Sequence, residues 1–353
     1  MEGTPEFTLL LEACRAAFEG RQFAVSALDR RVDWARFLRL ARFHRVQGLV
    51  WQSLAGVGLA PETAAELAGD AQRIAETNLR TAVACSEILA AFDQAGVALI
   101  FVKGLTLAQL AYGTIATKSA IDIDILVSLD TLAGTGDLLQ GLGFELEPAG
   151  SRNLAAMHRV RKESVWVNRD KRLQLDLHTR LADNPRLIPA VGMNSTSQGV
   201  DVAPAIRLPT LGTDELFAYL CVHGASSAWF RLKWITDLAA LLNGQSPDEL
   251  GHLYVQSQQL GAGRAPMQAL LLADELYGSL RSAPTLRQRL RRDRGAAWLC
   301  RAALRQLMIP PEPVEPTSRA LGTARIHLTQ FALLPDWGFK AGELARQARA
   351  SFG

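Results

Sequence analysis

Cysteine is scarce in this sequence, and its spacing excludes two kinds of small domain. The four cysteines, Cys14, Cys85, Cys221 and Cys300, lie far apart and form no Cys-x-x-Cys pair. Zinc knuckles need closely spaced cysteine pairs, and disulfide frameworks need several cysteines in a short chain. We therefore expect free thiols, which fit a reducing cytoplasm.

Long apolar runs and a strong net charge are also missing. The sequence contains no run of about 18 uncharged apolar residues, the length that can cross a membrane. Residues 1–6 lack the basic start and apolar stretch of a secretory signal. The net charge of +3 provides no general electrostatic basis for binding nucleic acid or an anionic membrane. We expect a cytoplasmic protein whose partners include neither.

The sequence does contain enough apolar material for a large core. Its 353 residues are 48% hydrophobic and 21% charged, which exceeds the about 100–200 residues of one average domain. Apolar residues recur at helical spacing near both ends, and short runs of strand length lie between them. We predict an α+β protein with a small mixed-sheet core at 96–200, flanked by helical lobes at 1–95 and 201–353.

Two local patterns refine the prediction for the helical lobes. The segment from Asn78 to Gly96 is typical of one long helix, with an apolar stripe formed by Leu79, Val83, Ile88, Leu89 and Phe92. A proline-dense stretch at 309–316 is predicted to interrupt the C-terminal lobe.

The most informative stretch is residues 121–127, Ile-Asp-Ile-Asp-Ile-Leu-Val. Alternate side chains of a strand point to opposite faces, so Asp122 and Asp124 share one face. Adjacent carboxylates repel each other, and a bound divalent cation removes that cost. Oxygen ligands of this kind suit Mg²⁺ or Mn²⁺. Taken alone, the pair is equally consistent with a half-exposed strand that carries two acids.

A second run, Leu173 to His178, shows the same alternation and places Gln174, Asp176 and His178 on one face. If this strand pairs beside the first, Asp176 joins the two acids. Three carboxylates can hold two metal ions for an in-line displacement at phosphorus. Taken alone, Asp176 is typical of a surface position. His178 is typical of a structural histidine, although it is also a candidate for contacting an acceptor.

A third feature is the turn at Lys103-Gly104, which follows the apolar run 97–102 and precedes a short helix. Glycine lets the backbone approach a ligand, and free amides at a helix start favour an anion. Lys103 would add a point charge for phosphate, and Thr106 a hydroxyl group. The simpler alternative is an ordinary turn.

The order of these elements resembles the DNA polymerase β-like nucleotidyltransferase superfamily. More closely, 101–104, 122–127 and 175–178 are similar to a largely uncharacterised bacterial nucleotidyltransferase subfamily, some of whose members accompany lasso-peptide biosynthesis. The likeness extends to the helical segments 40–46 and 229–239. The chain departs from the wider superfamily, which usually has Gly-Ser or Gly-Gly at this turn.

The resemblance implies transfer of a nucleoside monophosphate from a nucleoside triphosphate, with ATP expected, to an unidentified small molecule, peptide or protein. Pyrophosphate would be released, and Asp122, Asp124 and Asp176 would hold Mg²⁺ or Mn²⁺. Close relatives commonly have arginine four residues before the first strand acid, where this chain has Lys118. An ammonium lacks the bidentate geometry of a guanidinium, so the contact of Lys118 with the triphosphate is expected to differ.

Two downstream features remain open between alternatives. His223, Arg231 and Lys233 are candidate acceptor-side residues, but the same segment could instead pack helix on helix with Trp234 and Leu238 inward. Eight arginines between Arg281 and Arg305 could bind an anionic acceptor or RNA, although such runs are usually a solvated helix face.

Two other functions are compatible with the same residues. The first is a binding or regulatory protein that keeps the nucleotidyltransferase fold without turnover. The second is a phosphotransferase, which uses similar metal chemistry to move a different phosphoryl group.

Overall fold

The computed structural model describes residues 3–21, 23, 31–147, 153–309 and 324–352. Within these ranges a five-stranded mixed sheet and a two-stranded sheet lie between N-terminal and C-terminal helices. The predicted α+β class, with a small mixed sheet flanked by helices, is therefore confirmed. The proline-dense stretch lies largely at 310–323, outside the described residues.

In the described part of the N-terminal region, four helices precede the sheet: α1 (Pro5–Phe18), α2 (Trp34–His44), α3 (Gln47–Leu54) and α4 (Pro61–Gln94). Helix α4 has 34 residues and begins well before the predicted start at Asn78. Part of the predicted apolar stripe is wrong, because Leu79 and Val83 are 56% and 54% exposed. The buried face instead carries Asn78, whose amide donates to the carbonyls of Ile115 (2.5 Å) and Lys118 (2.7 Å). Asn78 thereby holds the loop that leads into the acidic strand.

The larger sheet has strand order β1-β2-β5-β4-β3. Its strands are β1 (Leu99–Phe101), β2 (Asp122–Val127), β3 (Glu145–Glu147), β4 (Glu163–Asn168) and β5 (Leu173–His178). Strands β2 and β5 are parallel, and the other neighbours are antiparallel. The connecting helices are α5 (Leu105–Tyr112), α6 (Leu132–Gly141) and α7 (Leu154–Val160). Every strand predicted in this region is present, with its ends shifted by at most a few residues.

The two faces of this sheet differ because the apolar residues of β2 and β5 alternate with polar ones. Ile123, Ile125, Leu175 and Leu177 join a buried cluster with residues of α4 and α6. Burying each such side chain contributes about 1.5–3 kcal/mol. On the opposite face Leu126 joins the core shared with the C-terminal helices, and the polar side chains lie beside it.

A hairpin of β6 (Ser197–Ala203) and β7 (Ile206–Leu211) follows the sheet. No strand was predicted for these residues, whose alternating apolar pattern is weakened by Gly199 and Pro209. The hairpin supports the end of β1, where Thr210 Oγ1 donates to the carbonyl of Phe101 at 2.6 Å. It therefore stabilises the backbone directly before the Lys103-Gly104 turn.

Eight helices complete the described chain: α8 (Thr213–Ser226), α9 (Leu232–Leu242), α10 (Pro247–Gln259), α11 (Ala265–Tyr277), α12 (Pro284–Arg291), α13 (Arg294–Leu307), α14 (Ala324–Gln330) and α15 (Trp337–Phe352).

Several arginines of the predicted cluster contact neighbouring helices. Arg287 pairs with Asp274 at 2.6 Å and Arg291 with Glu275 at 2.8 Å. Among the described residues, no helix is both long enough and apolar enough to span a membrane.

Candidate active site

Three carboxylates converge where β2 and β5 run side by side. The parallel register places Asp124 opposite Asp176, with Asp122 two residues earlier on the same face of β2. One carboxylate oxygen from each of the three lies within 4.8 Å of the others. The structure thus brings together the acids that the strand alternation placed on a common face.

Asp124 is the most enclosed of the three, with a side chain 1% exposed. Its Oδ1 atom accepts from Lys103 Nζ at 3.0 Å and from His178 Nε2 at 3.1 Å. Burial acts to raise the pKa of Asp124, but Lys103 and His178 hold it below its usual range. Its Oδ2 atom is buried and accepts no hydrogen bond from the described residues. An unpartnered buried carboxylate oxygen is the atom that a cation would satisfy.

Asp176 shows the electrostatic strain of the cluster. Burial and the nearby carboxylate of Asp124 raise the pKa of Asp176 to about 6, while the amide of Gln174 donates to its Oδ1 at 3.0 Å. Crowded carboxylates of this kind become favourable when they share a cation. The all-oxygen donor set and the unpartnered Asp124 oxygen fit Mg²⁺ or Mn²⁺.

The Lys103-Gly104 turn lies against this cluster. Gly104 precedes the first residue of α5 and has φ +73°, a conformation that favours glycine. Lys103 Nζ lies 3.7 Å from Asp122 Oδ2 as well as contacting Asp124. Although burial lowers the pKa of Lys103, the surrounding acids raise it well above its usual range. The turn therefore presents a charged ammonium beside the carboxylates.

Thr106 lines a small cavity together with Lys103, Gly104, Asp122 and Asp124. Its side chain is buried, and its hydroxyl lies 3.3 Å from both the Lys103 carbonyl and Thr210 Oγ1. These partners make Thr106 a support for the turn, and its contact with nucleotide stays a prediction.

A cavity adjoins the acidic cluster and extends to the C-terminal helices. Its lining comprises Lys103, Gly104, Lys118 and Asp122 from the sheet side and residues of α8 and α9 from the C-terminal helices. Lys118 is 6% exposed, and its Nζ atom lies 3.5 Å from Asp237 Oδ2. The other carboxylate oxygen of Asp237, Oδ1, accepts a hydrogen bond from the Tyr112 hydroxyl at 2.7 Å. The role of Asp237 as the partner of Lys118 was not foreseen, because the two residues are far apart in the sequence.

His223 and Lys233 also line this cavity. Burial lowers the pKa of His223 well below its usual value, so its imidazole is neutral. Its ring meets Trp234 edge-on at 5.5 Å, and its Nε2 atom is buried without a hydrogen-bond partner among the described residues. The structure thus places two of the predicted acceptor-side residues on the same cavity as the Lys103-Gly104 turn.

The other two candidate acceptor-side residues lie elsewhere. Arg231 is 3% exposed, donates to the carbonyl of Phe43 and lies 5.2 Å from the rings of Phe43 and Phe230. Its guanidinium therefore joins α9 to the N-terminal helices. His178 is buried behind Asp124, and its Nδ1 atom lies 3.2 Å from Glu163 Oε2, an acid that the sequence analysis did not single out.

Comparison with known proteins bears on the whole site. No curated protein matches the chain. A family model described as an uncharacterised nucleotidyltransferase matches residues 30–278, a range that contains the three acids, the Lys103-Gly104 turn and both walls of the cavity. Because this match covers well over half of the sequence, the chain belongs to that nucleotidyltransferase family.

Proposed function

We propose that this protein is a metal-dependent nucleotidyltransferase that moves a nucleoside monophosphate from a nucleoside triphosphate, with ATP expected, to an acceptor. The observation that carries the proposal is the convergence of Asp122, Asp124 and Asp176 within 4.8 Å, beside a cavity lined by lysines. Carboxylates next to ammonium groups match the two needs of phosphoryl chemistry, a cation site and a polyphosphate site.

Each residue of the site has a distinct part in this proposal. Bound Mg²⁺ or Mn²⁺, held by the three aspartates, would supply Lewis-acid stabilisation of charge on the phosphates. Lys103 and the Gly104 backbone bind the phosphates from the sheet side, with Lys118 nearby. An acceptor oxygen forms a bond to the α-phosphorus, and the bond from that phosphorus to the pyrophosphate oxygen breaks. The negative charge leaves with pyrophosphate.

The acceptor belongs to one of three classes, a small molecule, a peptide or a protein. Residues 101–104 and 122–127 resemble a bacterial subfamily, some of whose members accompany lasso-peptide biosynthesis, and we therefore choose a peptide as the first acceptor to test. His178 lies behind Asp124 rather than in the cavity, so we place it as a support for that acid.

The proposal is tested by incubating the full chain with α-labelled or γ-labelled triphosphates, Mg²⁺ or Mn²⁺, and candidate acceptors. Transfer of the α-label with release of pyrophosphate is expected. Transfer of the γ-label would instead identify a phosphotransferase. Nucleotide binding without transfer to any acceptor would identify a binding or regulatory protein.

Variants of the acids give the sharper result. Asp122→Ala and Asp124→Ala are each expected to lower α-label transfer by at least about 100-fold, because charge on the phosphates loses its stabilisation. Asp137→Ala, which alters an exposed aspartate on α6, serves as the matched control with unchanged transfer. Full transfer by the Asp124→Ala variant would refute the proposed function.

A further inference from the structure

Lys233 differs from the other two lysines of the cavity because no acidic partner contacts it among the residues that the structure describes. Lys103 pairs with Asp124 at 3.0 Å, and Lys118 pairs with Asp237 at 3.5 Å. Within the ranges that the structure describes, the Lys233 ammonium forms neither an ion pair nor a hydrogen bond. Among the described residues, it is the one cation lining this cavity that has no acidic partner.

The surroundings of Lys233 make this imbalance costly. Its side chain is half-buried on α9, and the charged groups with the largest influence on it are Lys118, Arg45, Asp122 and Lys103, of which Asp122 is an acid. Burial, followed by the influence of Lys118 and Arg45, lowers the pKa of Lys233 to about 7. Removing an ammonium from water without an anionic partner costs stability. A bound anion in the cavity would offset that cost.

The position of the cavity indicates which anion fits. Lys233 lines the same cavity as Gly104 and Asp122, and Lys103 and Lys118 also line it. Three ammonium groups around one space suit a ligand with several negative charges. The buried, unpartnered Nε2 atom of His223 adds a neutral group that can donate a hydrogen bond when it carries the proton. A polyphosphate satisfies all of these groups together.

We propose that Lys233 binds the terminal phosphates of the nucleoside triphosphate, so that α9 forms the far wall of the phosphate subsite. This inference rests on the proposed function and names the part of the substrate that α9 recognises. It replaces the acceptor-side role that the sequence suggested for Lys233. An acceptor-side lysine would govern affinity for the acceptor and leave affinity for triphosphate unchanged.

The test compares nucleotides that differ only in their number of phosphates. Calorimetric titration of the full-length Lys233→Met variant with ATP and Mg²⁺ is expected to show affinity about 10- to 100-fold weaker than wild type, because a charge-assisted contact is lost. Affinity for AMP is expected to change by less than about twofold. The affinity of Lys233→Met for inorganic tripolyphosphate, a probe without a nucleoside, is expected to fall as much as its affinity for ATP. The Lys233→Arg variant is expected to retain most of the wild-type affinity for both.

A second measurement separates this role from a structural one. Without nucleotide, the Tm of Lys233→Met is expected to equal or exceed that of wild type, because the variant removes an unbalanced charge. A lysine retained for stability would give the opposite sign. Lys340→Met, which alters a lysine lying over Trp337 on α15, is the matched control and leaves ATP affinity unchanged.

The outcomes distinguish this inference from the proposed function. If Lys233→Met binds ATP with wild-type affinity, the inference about Lys233 is overturned and the proposed function is not. The same holds if the variant loses affinity for ATP and AMP equally. A raised requirement for acceptor at unchanged ATP affinity would restore the acceptor-side interpretation. Failure of the wild-type chain to bind any triphosphate would overturn both proposals.

Discussion

The two faces of β2 and β5 are built from the same short strands and have opposite effects on stability. One face buries Ile123, Ile125, Leu175 and Leu177 against helices that precede and follow β1 and β2. The other gathers three carboxylates, one of them with a pKa raised to about 6. The first face gains free energy by excluding water, whereas the second concentrates like charges. Burial of the apolar face therefore offsets the destabilisation that the crowded carboxylates cause on the polar face, an arrangement typical of functional sites.

The largest expected effect on stability comes from the apolar face. Leu177→Ala is expected to lower the free energy of unfolding by about 2–5 kcal/mol, because it leaves a cavity in a fully buried cluster. Gln174→Ala, on the polar face of the same strand, is expected to change it by less than about 1 kcal/mol. Urea denaturation measures both. Equal destabilisation by the two variants would contradict the conclusion that the apolar face stabilises the fold more than the polar face does.

A smaller effect is expected where the polar face is supported from behind. His178→Ala is expected to weaken Mn²⁺ binding about 10- to 100-fold, because Asp124 loses the donor that orients its carboxylate. His178→Gln, which places an amide donor near the former Nε2 position, is expected to retain more affinity. Electron paramagnetic resonance of free Mn²⁺ measures binding without nucleotide or turnover. Wild-type affinity in the alanine variant would show that His178 does not position Asp124.

The smallest expected effect is a pH dependence at the cavity wall. The pKa of Lys233 falls from 10.5 to about 7 on folding. Below about pH 7 Lys233 is charged in both the folded and the unfolded state, so the free-energy cost of burying its charge is full. This cost shrinks as the pH rises from about 7 towards the pKa of the unfolded state. The gain in Tm of Lys233→Met over wild type is expected to be larger near about pH 6 than near about pH 9.

Other charged or titratable groups face Lys233, and they are present in both proteins of this comparison: Arg45, Lys103, Lys118, Asp122, His223 and Asp237. Thermal unfolding of both proteins across the pH range therefore isolates the contribution of Lys233. A Tm difference that stays constant or grows with pH would contradict the expected sign.

Much of the central sheet could be predicted, because its signals are local. Alternation over 121–127 and 173–178 indicated both the strands and the residues that share a face, and β2 and β5 occupy nearly these positions. Local patterns were less informative where tertiary contacts override them. The hairpin β6–β7 was missed, and Leu79 and Val83 were assigned to the same apolar stripe as Ile88 and Phe92 although α4 leaves them exposed.

The residues of the candidate site could likewise be predicted only in part. Residue type and spacing identified the three acids and the Lys103-Gly104 turn as candidates, but they did not reveal the partners of these residues. The pairing of Lys118 with Asp237 and the position of Glu163 beside His178 depend on segments distant in the sequence. The contact of the Thr106 hydroxyl with Thr210, on the unforeseen hairpin, likewise depends on a distant segment.

The sequence by itself determined which side chains share a face, since a strand has a period of two residues that can be read locally. Only the tertiary structure decided that β2 and β5 are parallel neighbours, that Lys118 has an acidic partner and that Lys233 has none in the part of the chain that the structure describes. These outcomes follow from contacts between remote segments, whose geometry is set by burial of the whole core rather than by any local pattern.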